Sequence, residues 1–346
     1  MTTHTWPALL DQLIAGTDLT AEDTAWAMAQ VMTGEATPSQ IAGFAVALRA
    51  KGETPSEVIG MADTMLAHAH RVEVPGTAVD IVGTGGDRSG SVNVSTMAAI
   101  VTAAAGVPVV KHGNRAASSS CGAADVLEAL GIVVNLSPDA VRSCVDEAGI
   151  GFCFAPTFHP ALRHAGPTRK ELGIPTTFNL LGPLTNPAQP SAGLVGCAYP
   201  DKLEVLARVF AGRGASVLVV RGDDGLDELT TTTTSTVWRV SGGDVRQASV
   251  DPAAFGLPRA SVSDLKGGSA ETNAAVVRNL VAGTRGPVRD AVVLNAGAAI
   301  ASYRGFSASL DDDLRAGIAT AEEALDSGKA ATLLDSWERV SVSLAG

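Results

Sequence analysis

Along the first 70 residues apolar side chains recur at helical spacing, and short polar stretches punctuate them. The pattern predicts a wholly helical region. "TPSQ" at 37–40 and "TPSE" at 54–57 each put Thr at an N-cap and Pro at the first helical position. Gln40 and Glu57 stand where a capping box needs them, and Gly34 and Gly52 suit the stops of the preceding helices. From about residue 76 the pattern changes. "AVDIV", "VPVVK", "IGFCFA", "AGLVGCA" and "SVLVV" are continuous apolar runs, as expected of strands buried on both faces of a parallel sheet. Helical patterns at 95–105, about 122–130, 138–148 and 201–211 lie between them, and this alternation predicts an α/β fold.

Three stretches depart from that alternation. Residues 159–185 read as helical and then irregular, a segment expected to cross back to the helical region. Residues 236–249 read as a hairpin, and the threonines at 230–234 as strand or strand edge. Beyond residue 268 the chain is mostly helical. The expected organisation is a small N-terminal helical domain, residues 1–72 with the crossing segment at about 159–185, plus a larger α/β domain. The latter takes 76–158 and 186–346 and has a mainly parallel central sheet.

Composition narrows the function. With 46% hydrophobic and 18% charged residues, the 346-residue chain can build a sizeable core. A formal charge of -11 opposes binding to nucleic acid or anionic membrane. Cys121, Cys144, Cys153 and Cys197 lack the C-x-x-C spacing of a zinc site and read as reduced, mostly buried thiols. No targeting or membrane-spanning segment is evident, so a cytoplasmic location is expected.

The stretch "DIVGTGGDRSGSVNVSTMAA", residues 80–99, joins a predicted strand to a predicted helix. It is not a Walker loop, and Arg88 occupies the third glycine position of a dinucleotide fingerprint. Glycines at 83, 85, 86 and 90 allow amides close to anionic oxygens, and Asn93, Ser95 and Thr96 lie at the helix start. Phosphate binding and an ordinary glycine-rich turn both remain open. The next strand ends in "KHGNRAASSSCGAADVLEALG", 111–131, where Lys111, His112 and Arg115 bring positive charge and three serines bring hydroxyls. Each has a bland alternative: a strand end, a core histidine, a partner for Asp125.

Asp227 and Glu228 in "GDDGLDELT" are adjacent carboxylates of the kind that shares Mg²⁺ with phosphates, although such loops are commonly just solvated. Arg169 can fork a carboxylate, or it can pair with Glu171 on a helix surface.

Taken in order, "GTGGD", "NVST", "KHGNRAASS", "GAADVLEALG", "RKELGIPTTFNLLGPLTNPA" and the Asp-Glu pair resemble the anthranilate phosphoribosyltransferases over about residues 5–340. The resemblance implies the phosphoribosyltransferase and nucleoside-phosphorylase architecture, a homodimer, a Mg²⁺ requirement, and transfer of 5-phosphoribosyl from phosphoribosyl pyrophosphate (PRPP) to the anthranilate amine. It implies that Gly83, Gly86, Asp87, Ser91, Asn93, Val94, Ser95 and Thr96 meet PRPP on one side. Lys111, His112, Gly113, Asn114, Arg115, Ala116, Ala117, Ser118, Ser119 and Ala123 are implied on the other. Anthranilate is assigned to Gly83, Asn114 and Arg169, and metal to Ser95, Asp227 and Glu228. The chain departs from the common pattern at Ser120, Cys121 and Ala123.

No nucleophilic triad stands out, so catalysis by placement and electrostatics is expected. Two rival readings are a pyrimidine-nucleoside phosphorylase of the same architecture and a non-catalytic nucleic-acid-binding relative.

Overall fold

The computed structural model describes residues 4–116 and 120–345. Ala117, Ser118 and Ser119 of the predicted PRPP set lie outside the described residues. Four helices open the chain: α1 (Trp6–Ile14), α2 (Ala21–Thr33), α3 (Pro38–Lys51) and α4 (Pro55–Ala67). Their ends follow the local chemistry. Thr37 and Thr54 cap α3 and α4 with complete capping boxes to Gln40 and Glu57, and Gly34 closes α2 in the left-handed conformation.

The α/β part carries β1 (Val79–Gly83), α5 (Val94–Ala104), β2 (Val109–Gly113), α6 (Ala123–Ala129), α7 (Pro138–Ala148) and β3 (Ile150–Phe154). Short helices α8 (Ala155–Phe158), α9 (Gly166–Leu172) and α10 (Phe178–Leu181) follow. Next come β4 (Ala192–Gly196), α11 (Leu203–Gly212), β5 (Ser216–Gly222), β6 (Ser235–Ser241) and β7 (Asp244–Val250). The chain ends in α12 (Ala270–Val281), α13 (Pro287–Arg304), α14 (Leu310–Asp326) and α15 (Lys329–Ser343).

These strands form one sheet in the order β3-β2-β1-β4-β5-β6-β7, parallel except for the antiparallel additions of β6 and β7. The apolar runs are continuous because both faces are covered. Ile81, Leu194 and Leu218 face the core built on α5 and α13, whereas Val82, Val195 and Val219 face the core shared with α11 and the N-terminal helices. Close helix packing completes the first core. A Cβ on Gly317 of α14 would stand 2.1 Å from the Gly297 carbonyl of α13, so only glycine admits that approach.

Segment 160–184 lies against the N-terminal helices, its Ala165, Phe178, Leu180 and Leu181 buried in their core. Glu53, between α3 and α4, is buried where this segment meets α11. Thr177 Oγ1 donates to Glu53 Oε1 at 2.6 Å, and the Lys202 ammonium lies 2.6 Å from Glu53 Oε2.

The expected strand at 230–234 is not one. These threonines form a loop before β6, because their hydroxyls turn to the Asp223 and Asp224 carboxylates, with Thr230 Oγ1 2.7 Å from Asp224 Oδ2. Short polar side chains that bond locally compete with a sheet ladder. All four cysteines are buried. Among the described residues no helix is long and apolar enough to cross a membrane.

Candidate active site

The sheet reverses its winding between β1 and β4: β2 and β3 extend from one side of β1, and β5 extends from the far side of β4. In open α/β sheets ligands settle beyond the carboxyl ends of strands at such a switch point. Here those ends are Gly83 and Gly196, which pair directly across the two strands. Asp227 lies over both. A Cβ on Gly83 would stand 2.3 Å from Asp227 Oδ2, and one on Gly196 would stand 1.5 Å from the Asp227 carbonyl oxygen. Glycine is therefore the residue that lets the 222–230 loop close down on the switch point.

Loop 84–93 rises from this corner. Gly85, Gly86 and Gly90 take positive φ, and Arg88 does so too. Gly85 N–H donates to Asp227 Oδ2 at 2.8 Å, and Ser95 N–H, in the first turn of α5, donates to Glu228 Oε1 at 2.8 Å. Ser91 pairs with Lys266 in an isolated bridge, and Asn93 is held between Cys121 O and the Asn273 amide. Asp87 stands half-buried in the loop, Oδ1 accepting from Ser89 N–H, while Val94 and Thr96 are buried.

The electrostatics are those of crowded acids. Burial, with the neighbouring Asp87 carboxylate, pushes Asp227 up to about 7; burial and Asp227 push Glu228 well above the carboxylate range. Glu228 Oε2 is buried with no hydrogen-bond partner among the described residues. Two adjacent carboxylates, one with an unmatched buried oxygen, fit a hard divalent cation. No group of three or more His, Cys, Asp or Glu among the described residues could hold a metal alone. Such an ion would complete its shell with substrate oxygens and water.

Lys111 and His112 are placed differently from an open phosphate cradle. They are 2% and 3% exposed, and lie beneath β1. The Lys111 ammonium donates to Ile81 O, and burial lowers its pKa against the opposing pull of Asp80. Asp80 Oδ1 accepts from His112 N–H at 3.1 Å and Oδ2 from Asn186 Nδ2 at 2.8 Å; burial raises this carboxyl to about 6. His112 Nδ1 meets Gly182 O at 2.9 Å, and its ring tilts against His159, centroids 5.2 Å apart.

At the end of β2, a Cβ on Gly113 would press within 2.8 Å of the Phe152 ring and 3.3 Å of Ala123 Cβ. Asn114 is exposed, Oδ1 accepting from Arg115 N–H, and Ala116 N–H donates to Asp125 Oδ2. Arg115 binds Asp125 and Glu128 at 3.0 and 2.6 Å, the alternative its sequence context offered.

Arg169 does not pair with Glu171. It is half-buried on α9 with its guanidinium 5.4 Å over the Phe178 ring, and it has no carboxylate partner among the described residues. Burial lowers its pKa.

Three neighbours escaped the sequence reading. Tyr199 presses its hydroxyl 2.6 Å from where a Gly86 Cβ would stand, and that buried oxygen has no hydrogen-bond partner among the described residues. Asp80 accepts from His112 N–H and faces Lys111, and Asn186 in turn donates to Asp80 and to Val110 O. Asp80 carried a signal, a lone acid inside an apolar strand run. Tyr199 carried none.

Comparison with known proteins agrees with this geometry. Residues 7–69 match the helical bundle domain of a glycosyl transferase family, and residues 75–331 match its a/b domain. The chain is 64% identical over 339 residues to an anthranilate phosphoribosyltransferase of Saccharopolyspora erythraea, covering 98% of this chain and 97% of that one. It is 60% identical over 343 residues to that of Rhodococcus jostii, covering 99% and 95%. Among solved structures it resembles the enzyme of Thermus thermophilus, with TM-score 0.90, 43% identity and coverage of 96% and 99%. It also resembles a Saccharomyces cerevisiae enzyme in complex with PRPP and Mg, with TM-score 0.89, 26% identity and 98% coverage of each chain. With near-full-length identity at this level, the chain belongs to the anthranilate phosphoribosyltransferase family.

Proposed function

We propose that the chain transfers 5-phosphoribosyl from PRPP to the anthranilate amine, releasing pyrophosphate, as a Mg²⁺-dependent step of tryptophan biosynthesis. The observation that carries this reading is the convergence of loop 84–93, the α5 amino end and the Asp227–Glu228 pair on the β1–β4 switch point.

The PRPP side is assigned to Gly83, Gly86, Asp87, Ser91 and Asn93–Thr96. The accessible end of β2, Gly113 to Ala116, with Ala123, takes its other flank, and Lys111 and His112 lie buried beneath it. Asp227, Glu228 and Ser95 would hold Mg²⁺, which when bound neutralises pyrophosphate charge. The Gly85 and Ser95 amides already hold internal carboxylate oxygens, which supports reading the glycine loop and the amino end of α5 as shaped for anionic oxygens.

Arg169, stacked over Phe178 and without an acid partner among the described residues, is suited to fork the anthranilate carboxylate, with Asn114 and Gly83 bordering the ring. An arylamine is neutral near pH 7, so the protein need supply no strong base. Its work is to hold amine and C1′ in line and to stabilise charge on the leaving group.

The helical unit is proposed to comprise 1–72 with 159–185, and the enzyme to act in the cytoplasm as a homodimer. Light scattering that gives the 35.0 kDa mass of one chain would remove the dimer. The activity is tested by mixing protein, Mg²⁺, PRPP and anthranilate and following anthranilate fluorescence. Fluorescence that stays constant overturns the reading.

A further inference from the structure

A cavity of about 620 Å³ opens on the bundle-facing side of the sheet, between the end of α4, the start of α11's following loop and the amino ends of β1, β4 and β5. Its volume lies within the range of small-molecule sites. Leu66, Leu184, Phe210 and Val217 give it apolar walls, and Arg71 and Arg213 stand at its polar side. It opens away from the candidate active site, which gathers at the carboxyl ends of the same strands about 13 Å off along a five-residue strand, although Asp80 and Asn186 border both.

Its charges do not cancel. The Arg213 guanidinium is satisfied by Asp63 at 2.6 Å and by Leu184 O at 2.6 Å. Arg71, exposed at the mouth, bonds the neutral Gln189 side chain and has no carboxylate partner among the described residues. Arg213 is near enough to repel it, although burial is the larger cause of its lowered pKa. Asp80 lies in the floor, but its oxygens are turned to His112 N–H and to Asn186, and it faces Lys111. One guanidinium without an acid partner among the described residues therefore stands at the mouth of a partly apolar cavity.

We propose that this cavity binds a small organic monoanion, its apolar body against Leu66, Leu184 and Phe210 and its carboxylate on Arg71. A dianion is disfavoured because Asp63 already holds the second guanidinium. A neutral molecule would leave the exposed Arg71 guanidinium to solvent and gain nothing from it.

The test is ligand-observed NMR titration with hexanoate, which lacks an anthranilate-like ring, against hexanamide as the neutral counterpart. Three variants are titrated beside the parent: Arg71→Gln, Ala67→Trp to plug the exposed mouth, and Arg169→Ala. Thermal melts confirm that each is folded. Hexanoate should bind parent and Arg169→Ala alike, hexanamide at least about tenfold more weakly, and Arg71→Gln should weaken hexanoate about tenfold or more. Ala67→Trp should abolish binding.

Undiminished hexanoate binding in Arg71→Gln or in a folded Ala67→Trp overturns the proposal, as does equal binding of hexanamide. Loss of binding in Arg169→Ala would place the anion at the other site, and no binding at about 10 mM hexanoate also refutes it. None of these outcomes bears on phosphoribosyl transfer, which the fluorescence assay reads independently.

Discussion

Glu228 holds the amino end of α5 from a position 133 residues later in the chain, its Oε1 2.8 Å from the Ser95 amide. The carboxylate thus satisfies a helix-end donor that an anion would otherwise take. Because Asp227 and Glu228 are crowded and buried, their charge is tolerable chiefly beside a cation. Replacing both, as Asp227→Asn with Glu228→Gln, should raise the Mg²⁺ concentration for half-maximal rate by about tenfold or more, ~1.4 kcal/mol. An unchanged metal titration would remove the pair from the site.

Arg169 separates two roles cleanly. If it forks the anthranilate carboxylate, Arg169→Ala should raise KM for anthranilate about 10- to 150-fold, the equivalent of roughly 1.5–3 kcal/mol for hydrogen bonds to charged groups. The KM for PRPP should hardly move. Equal loss for both substrates would make Arg169 a packing residue over Phe178.

The glycines at the switch point differ in what they would strike. Gly83→Ala meets the tip of the Asp227 side chain, which can swing aside. That variant should stay folded while its Mg²⁺ dependence changes. Gly196→Ala meets Asp227 main chain at 1.5 Å, so the loop itself must move. Its melting temperature should fall the more, with a cost of roughly 1–3 kcal/mol or above. Thermal melts that rank the two in the opposite order would contradict this geometry.

Burial lowers His112 to about 3 and His159 to about 4 from the ordinary 6.5. The unfolded chain then binds more protons, so both residues contribute stability that is present above 6.5 and lost as pH falls towards 4. Asp80 and Asp227, raised to about 6 and about 7, act with the opposite sign and lose stability as pH rises. A difference measurement isolates the imidazole. Relative to His159→Gln, the parent should lose roughly 2 kcal/mol between about pH 7 and pH 5 in denaturant titrations. A constant gap between the two proteins would show that His159 does not titrate on unfolding.

Hydrophobic spacing located β1 to β5 and a helical opening region, with capping signals marking the starts of α3 and α4, because burial on one or both faces is written directly into side-chain type. It could not say which strands are neighbours, so the meeting of Gly83, Gly196 and Asp227 was invisible until the order was known. Spacing also misread the threonines at 230–234, whose β-branched shape suits a strand but whose hydroxyls bind Asp223 and Asp224. Lys111 and His112 looked like surface cations for a phosphate. Only the structure shows both buried, with Asp80 facing Lys111 and accepting from His112 N–H. Tyr199 was silent for a similar reason: its place depends on Gly86, 113 positions earlier in the chain.

Glu53 ties together pieces that chain order keeps far apart, reaching Thr177 in the crossing segment and Lys202 ahead of α11. A buried acid fastened on two sides behaves like a pin. Any displacement of the opening helices must either carry Glu53, Thr177 and Lys202 along together or break one of these two bonds.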